Sequence, residues 1–102
     1  PSIETFKAAA ANADWDAAGK QNFYLLLVDQ PGDNSWPITA TTYILMYKNP
    51  ADPAQSAEAL KFFKWAYANG DNMALGLDYV PLPKNATDAI QASWKNIQGS
   101  GM

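Results

Sequence analysis

The chain contains no cysteine and no histidine. Its seven basic residues are all lysine (Lys7, Lys20, Lys48, Lys61, Lys64, Lys84 and Lys95), so arginine is absent too. Without cysteine there is no disulfide, no thiol nucleophile and no Cys-type zinc site. Without histidine, the commonest general base and metal ligand is missing. Without arginine, no planar fork can grip phosphate or carboxylate bidentately. The lack of cysteine does not by itself assign a compartment. No apolar run approaches the roughly 20 residues that a membrane helix needs. The stretch Phe23-Tyr24-Leu25-Leu26-Leu27-Val28 is far too short. The formal charge of -3, with 17% charged residues, argues against a nucleic-acid partner. It also provides no attraction to an anionic membrane. No signal-peptide pattern is visible at Pro1.

What is present reads as one small domain's worth of chain, 102 residues carrying four Trp, five Tyr and four Phe. Ser2 caps a helix predicted over Ser2–Ala13, with Glu4 at the favourable end of its dipole and Ile3, Phe6 and Ala10 on one stripe. Asp14 to Gly19 reads as a short second helix, capped by Asp14 and stopped by Gly19. The apolar run Phe23–Val28, bounded by Asp29-Gln30-Pro31-Gly32, favours a buried strand, with helix as the alternative because its three leucines are neutral on the question. Ile38–Tyr47, rich in β-branched and aromatic residues, predicts another strand.

Asp52-Pro53 with Gln55 starts the best-punctuated helix and matches a capping box. Its apolar stripe is Leu60, Phe63 and Tyr67, and Gly70 ends it. A short helix over Asp71–Leu77 and a last one over about Pro83–Gln98, with Ile90, Trp94 and Ile97 on one face, complete the set. The fold class is therefore α/β, a partial domain of about two strands and four to five helices. Two strands make a marginal sheet, so several of the large apolar groups are expected to pack on polypeptide other than these residues. An isolated chain is then expected to be poorly stable, or to form a self-associated or swapped dimer.

Three blocks in order, Trp36-Pro37-Ile38-Thr39 through Tyr47, Leu60-Lys61-Phe62-Phe63-Lys64-Trp65-Ala66-Tyr67, and Leu77-Asp78-Tyr79 to Pro83, resemble the C-terminal part of periplasmic phosphate-binding proteins. Those proteins feed ABC-type phosphate importers. Ala13-Asp14-Trp15 and Ala92-Ser93-Trp94-Lys95 support the likeness. The resemblance implies a two-lobed (type II-like) binding protein, periplasmic or a cell-surface lipoprotein, that closes on inorganic phosphate and passes it to an ABC permease. It implies residues 1–35 in one lobe, 36–42 as a crossing between lobes, and 43–102 in the other. The family's phosphate ligands, including an Arg and a Ser-Gly-Thr-type segment, match nothing here. No phosphate-binding residue is therefore expected in this segment, and no catalytic residue, metal or cofactor is implied. Trp36, Pro37, Ile38 and Thr39 are the candidate hinge, since hinges sit at element ends; a rigid loop is the competing reading.

Other residues carry sharper and plainer readings side by side. Thr39, Thr41 and Thr42 read first as strand formers and second as hydroxyls offered to an anion. Phe62, Phe63, Trp65 and Tyr67 read as core aromatics before a sugar-stacking or partner surface. Lys61 and Lys64 read as a solvated helix face before an anion-steering or permease contact. Asp14 with Asp16, and Asp29 with Asp33, sit where a cap and a turn want them, rather than as a catalytic pair. Asn85-Ala86-Thr87 matches a glycosylation sequon, read here as the start of the last helix. The alternative in a different class is a small self-associating interaction domain that binds no anion.

Overall fold

The computed structural model describes all residues, Pro1–Met102. It is built from α1 (Ile3–Ala11), α2 (Trp15–Gly19), α3 (Pro53–Asn69), α4 (Asp71–Gly76), α5 (Lys84–Ser93) and a 3-10 turn over Trp94–Asn96. The helix starts follow local chemistry. Ser2 accepts the Thr5 N–H at 3.2 Å while Thr5 Oγ1 accepts the Ser2 N–H at 2.8 Å, a reciprocal box around α1. Asp14 accepts the Ala17 N–H at 3.0 Å, and Asp52 accepts the Gln55 N–H at 3.1 Å. At α3 the box is half made, because Asp52 caps Gln55 with no bond returned from the Gln55 side chain. The last helix is shorter than its pattern suggested, since α5 tightens into the 3-10 turn at Trp94.

Gly70 ends α3 without turning left-handed, at φ -91°. Glycine is needed there for space instead. A Cβ would lie 2.6 Å from the main-chain oxygen of Ala66, which already accepts the Gly70 N–H at 2.7 Å. Gly70→Ala is therefore expected to force a backbone shift between α3 and α4 costing about 1–3 kcal/mol. Thermal unfolding of the two proteins would register it, and equal midpoints would contradict it.

The two predicted strands are not formed, and the chain contains no β-ladder. Phe23 adopts a left-handed backbone (φ 60°) at the end of the turn that follows α2. From there the chain runs extended, with Leu25 half-buried and Leu27 buried, while Tyr24, Leu26 and Val28 point outward. Ile38–Tyr47 is likewise irregular, and none of its main-chain groups takes part in a main-chain hydrogen bond. The physical cause is the absence of a neighbour. A strand is stabilised by the ladder it shares, and the hydrogen bond between these two segments is a side-chain one, from the Tyr43 hydroxyl to the Leu25 oxygen at 2.9 Å. Both faces of Ile38–Tyr47 carry large exposed apolar groups, among them Ile38, Ile44, Leu45 and Tyr47. That is the pattern of a strand meant to be covered on both sides.

Packing is correspondingly thin. One cluster joins α1, α2 and α5 through Ala10, Ala13, Trp15, Leu27 and Ala86. A second joins α3 to the chain end through Leu60, Trp94 and Ile97, with Phe63, Tyr67 and Ile90 against it. Only 11 of 102 residues are buried. The accessible surface is 7169 Å², where a folded monomer of this mass exposes about 5,700 Å². The radius of gyration is 14.5 Å, against about 13 Å for a compact domain of this length. The excess, about 1,500 Å² of total surface by the same scaling, is surface that the chain does not cover itself, and large apolar groups such as Leu45, Tyr47 and Phe62 contribute to it.

The second cluster carries the one half-buried tyrosine. Tyr67 stacks on Trp94 with centroids 6.1 Å apart, and burial pushes its ionisation above the ordinary value. The folded chain thus holds the Tyr67 proton more tightly than the unfolded chain. The stability this contributes is fully present below the unfolded pKa of about 10 and is lost as pH rises past it. Tyr67→Phe should flatten this alkaline loss, and a thermal-midpoint series from neutral pH upward checks it. Parallel curves for both proteins would contradict it.

Candidate functional site

The segment predicted as a hinge is anchored at its first half. The Trp36 N–H donates to the Thr5 oxygen of α1 at 3.1 Å, and the Asp29 N–H donates to the Pro37 oxygen at 2.9 Å. Asn12 Nδ2 donates to Ser35 Oγ at 3.0 Å, and Ser35 Oγ in turn donates to the Pro31 oxygen at 2.7 Å. Thr39 Oγ1 donates back to the Trp36 oxygen at 2.9 Å, closing a local turn. Ile38, by contrast, is 77% exposed and unsupported. Firm attachment therefore ends between Pro37 and Ile38, where the chain leaves α1 for the unpaired segment.

Thr39, Thr41 and Thr42 all line one open cleft of about 340 Å³, together with Phe6 of α1 and Asp78–Leu82. Thr41 Oγ1 is buried there without a hydrogen-bond partner. The cavity offers hydroxyls and main-chain N–H groups that make no main-chain bond, which favour an anion, but its lining residues include no cation and one acidic residue, Asp78. A carboxylate opposes an anion at close range. The arrangement suits a neutral polar group or another stretch of main chain better than phosphate.

A second cavity, about 160 Å³, separates Thr42–Met46 from Leu60, Phe63, Tyr67, Ile90 and Trp94, and its wall is almost wholly apolar. It marks where the extended segment lies over α3 and α5 without filling the space.

The remaining candidates are placed plainly. Phe63 and Tyr67 face the core, while Phe62 (61% exposed) and Trp65 (50% exposed) stack on each other outside it, 6.3 Å apart. Phe62 and Trp65, read from the sequence as core aromatics, are thus corrected to an exposed second aromatic face of the helix. Lys61 pairs with Glu58 at 2.7 Å on the surface, and Lys64 makes no ion pair. Asp14 caps α2; Asp16, Asp29 and Asp33 are exposed, and no three acidic residues gather as a metal site. Asn85 Nδ2 donates to the Ala11 oxygen at 2.9 Å, tying α5 to α1, so the sequon asparagine is engaged in a structural contact. No helix is long and apolar enough to cross a membrane.

No protein-family model matches the chain. Individual relatives do. The phosphate-binding protein PstS of Xylella fastidiosa (strain Temecula1) is 49% identical over 94 residues, covering 92% of this chain and 25% of that protein. PstS of Pasteurella multocida is 44% identical over 95 residues, covering 93% and 27%. PstS of Haemophilus influenzae is 40% identical over 95 residues, covering 93% and 28%. All three are named as binding proteins rather than enzymes. The chain spans about a quarter of the length of these relatives. Over nearly all of its residues, the chain is a relative of the phosphate-binding proteins PstS and corresponds to about one quarter of such a protein.

Proposed function

We propose that this chain is the C-terminal quarter of a receptor that captures inorganic phosphate in the periplasm, free or lipid-anchored at the cell surface, and delivers it to an ABC permease. The observation that carries this reading is the 49% identity to a phosphate-binding protein across 92% of the chain. Residues 1–35 and 43–102 then serve two lobes, with 36–42 crossing between them, and the anchored Trp36-Pro37 is the fixed side of a hinge whose mobile side begins at Ile38. The phosphate ligands lie elsewhere in the receptor. The absence of arginine and histidine and the lack of any cationic residue lining the threonine-bearing cavity support that placement.

The test is calorimetric titration of phosphate, with sulfate as competitor, into the complete receptor carrying these residues. The reading expects saturable phosphate binding that survives Thr39→Val and Thr41→Val. Loss of binding in the threonine variants would move the ligand site into this segment, and no phosphate binding at all would end the phosphate reading.

One observation favours a second reading, a self-associating domain that binds no anion. Ile38–Tyr47 has no main-chain partner and could take its ladder from another copy of itself. A dimer of the isolated chain in sedimentation equilibrium fits both readings; a dimer together with no phosphate binding by the complete receptor supports the second.

A further inference from the structure

Phe62 and Trp65 form an aromatic pair on the side of α3 that the fold leaves bare. At 3.6 residues per turn, Leu60, Phe63 and Tyr67 share one side, and Phe62 and Trp65 fall on the opposite one. The exposures agree: Leu60 is 0% exposed, whereas Phe62 and Trp65 are 61% and 50% exposed. Their rings are already assembled, stacked at 22° between planes, with Phe62 also edge-on to Phe63 at 5.7 Å. Ala59 and Ala66 lie next to them and leave room for a second element to approach closely. Met73 of α4, 58% exposed, adds a further unpaired apolar group nearby in the chain. The unpaired segment Thr42–Met46 lies over the other side of α3, across the apolar cavity it shares with Leu60 and Phe63. Apolar surface is thus uncovered on the outer side of α3, at Phe62 and Trp65, and on the segment that lies over its inner side, at Ile44 and Leu45.

Resting on the receptor reading above, we infer that the outer face of α3 is an internal interface, covered in the receptor by the polypeptide outside these residues. Two quantities choose this occupant over a second copy. The surface excess of about 1,500 Å² is nearly twice the roughly 800 Å² that one partner contributes to an ordinary interface. A two-fold dimer uses a single self-complementary patch and covers one side only. The relatives are about four times as long as the stretch they share with this chain, which leaves ample polypeptide to wrap both sides. In that arrangement α3 is a central helix rather than a surface one.

The absence of cysteine makes single-cysteine labelling clean. Phe62→Cys and Asn69→Cys, the latter a polar position at the end of the same face, are labelled with maleimide in the complete receptor and in the 102-residue chain. Lys95→Cys serves as the exposed control. The inference expects both face positions to label at least roughly tenfold slower in the receptor than in the chain, with Lys95→Cys unchanged. Equal rates in receptor and chain at Asn69→Cys, which leaves the aromatic pair in place, would overturn it. So would slowing of the isolated chain as its concentration rises, which would assign the face to a second copy. Phosphate titration of the same receptor preparations separates failures. Unprotected cysteines with normal phosphate binding sink this interface alone, whereas protected cysteines without phosphate binding sink the phosphate reading and leave the interface standing.

Discussion

Trp15→Ala is expected to abolish cooperative folding of the isolated chain. Trp15 is 4% exposed and sits at the centre of the cluster that joins α1, α2 and α5. Its Nε1 donates to the Ala10 oxygen at 2.7 Å, adding a short side-chain bond to a carbonyl that otherwise accepts only the long Ala13 N–H contact of 3.4 Å and the Asn12 cap N–H. Truncation removes the largest side chain of that cluster and leaves a cavity, together costing about 3–5 kcal/mol. A domain's whole stability is of order 5–15 kcal/mol, and a chain with so little buried sits at the lower end. Near-UV circular dichroism on heating reads the outcome. A sharp transition retained in Trp15→Ala would mean that the α1–α2–α5 cluster does not hold the fold. Trp15→Phe keeps the volume in part and loses the hydrogen bond, so it should fall between the two.

Leu60→Ala is the second large effect and reports on the other cluster. Leu60 is the one large side chain with no exposed surface, and it bridges α3 to Trp94 and Ile97. Its loss costs about 2–5 kcal/mol, towards the upper end where the surroundings cannot collapse. Here a void of about 160 Å³ already borders it, so collapse onto the missing atoms is poorly supported. The expected consequence is detachment of α3 and exposure of Trp94, seen as a red shift and increased quenching of tryptophan fluorescence. In the complete receptor the same substitution should cost measurable stability yet leave α3 in place, because the outer face supplies a second attachment. Equal damage in chain and receptor would argue against that attachment.

How much was readable in the sequence follows from the range of each interaction. The caps at Ser2, Asp14 and Asp52 and the proline at Pro53 act within one turn, so residue type and spacing reveal them. The stripe Leu60, Phe63, Tyr67 was legible because a helical period maps directly onto one face. The strands were legible as intention only. Tyr24–Val28 keeps its alternation and Ile38–Tyr47 keeps its composition, but a ladder is a non-local bond that no residue can make alone. Gly70 was recognised as a stop for a handedness it does not adopt, since the close approach to Ala66 is visible only in three dimensions. The anchoring of Trp36 to Thr5 joins residues 31 positions apart, and no local signal announces it. The Glu4 carboxyl, by contrast, is held below its ordinary value first by its own main-chain N–H and then by the Ser2 hydroxyl, a helix-start effect written in the first four residues.

The threonines gave the least. Their β-branched character and their hydroxyls point in different directions, and no local signal chooses between them. Thr41 Oγ1, buried and unpartnered, belongs to the same unpaired stretch whose main-chain groups are free. Both are satisfied together if a neighbouring strand closes that cavity.

The most direct measurement is calorimetric titration of phosphate into the 102-residue chain alone, beside the complete receptor. The chain alone should give no saturable heat while the receptor binds phosphate stoichiometrically. Stoichiometric binding by the isolated chain would contradict the central claim and would return the site to Thr39, Thr41 and Thr42.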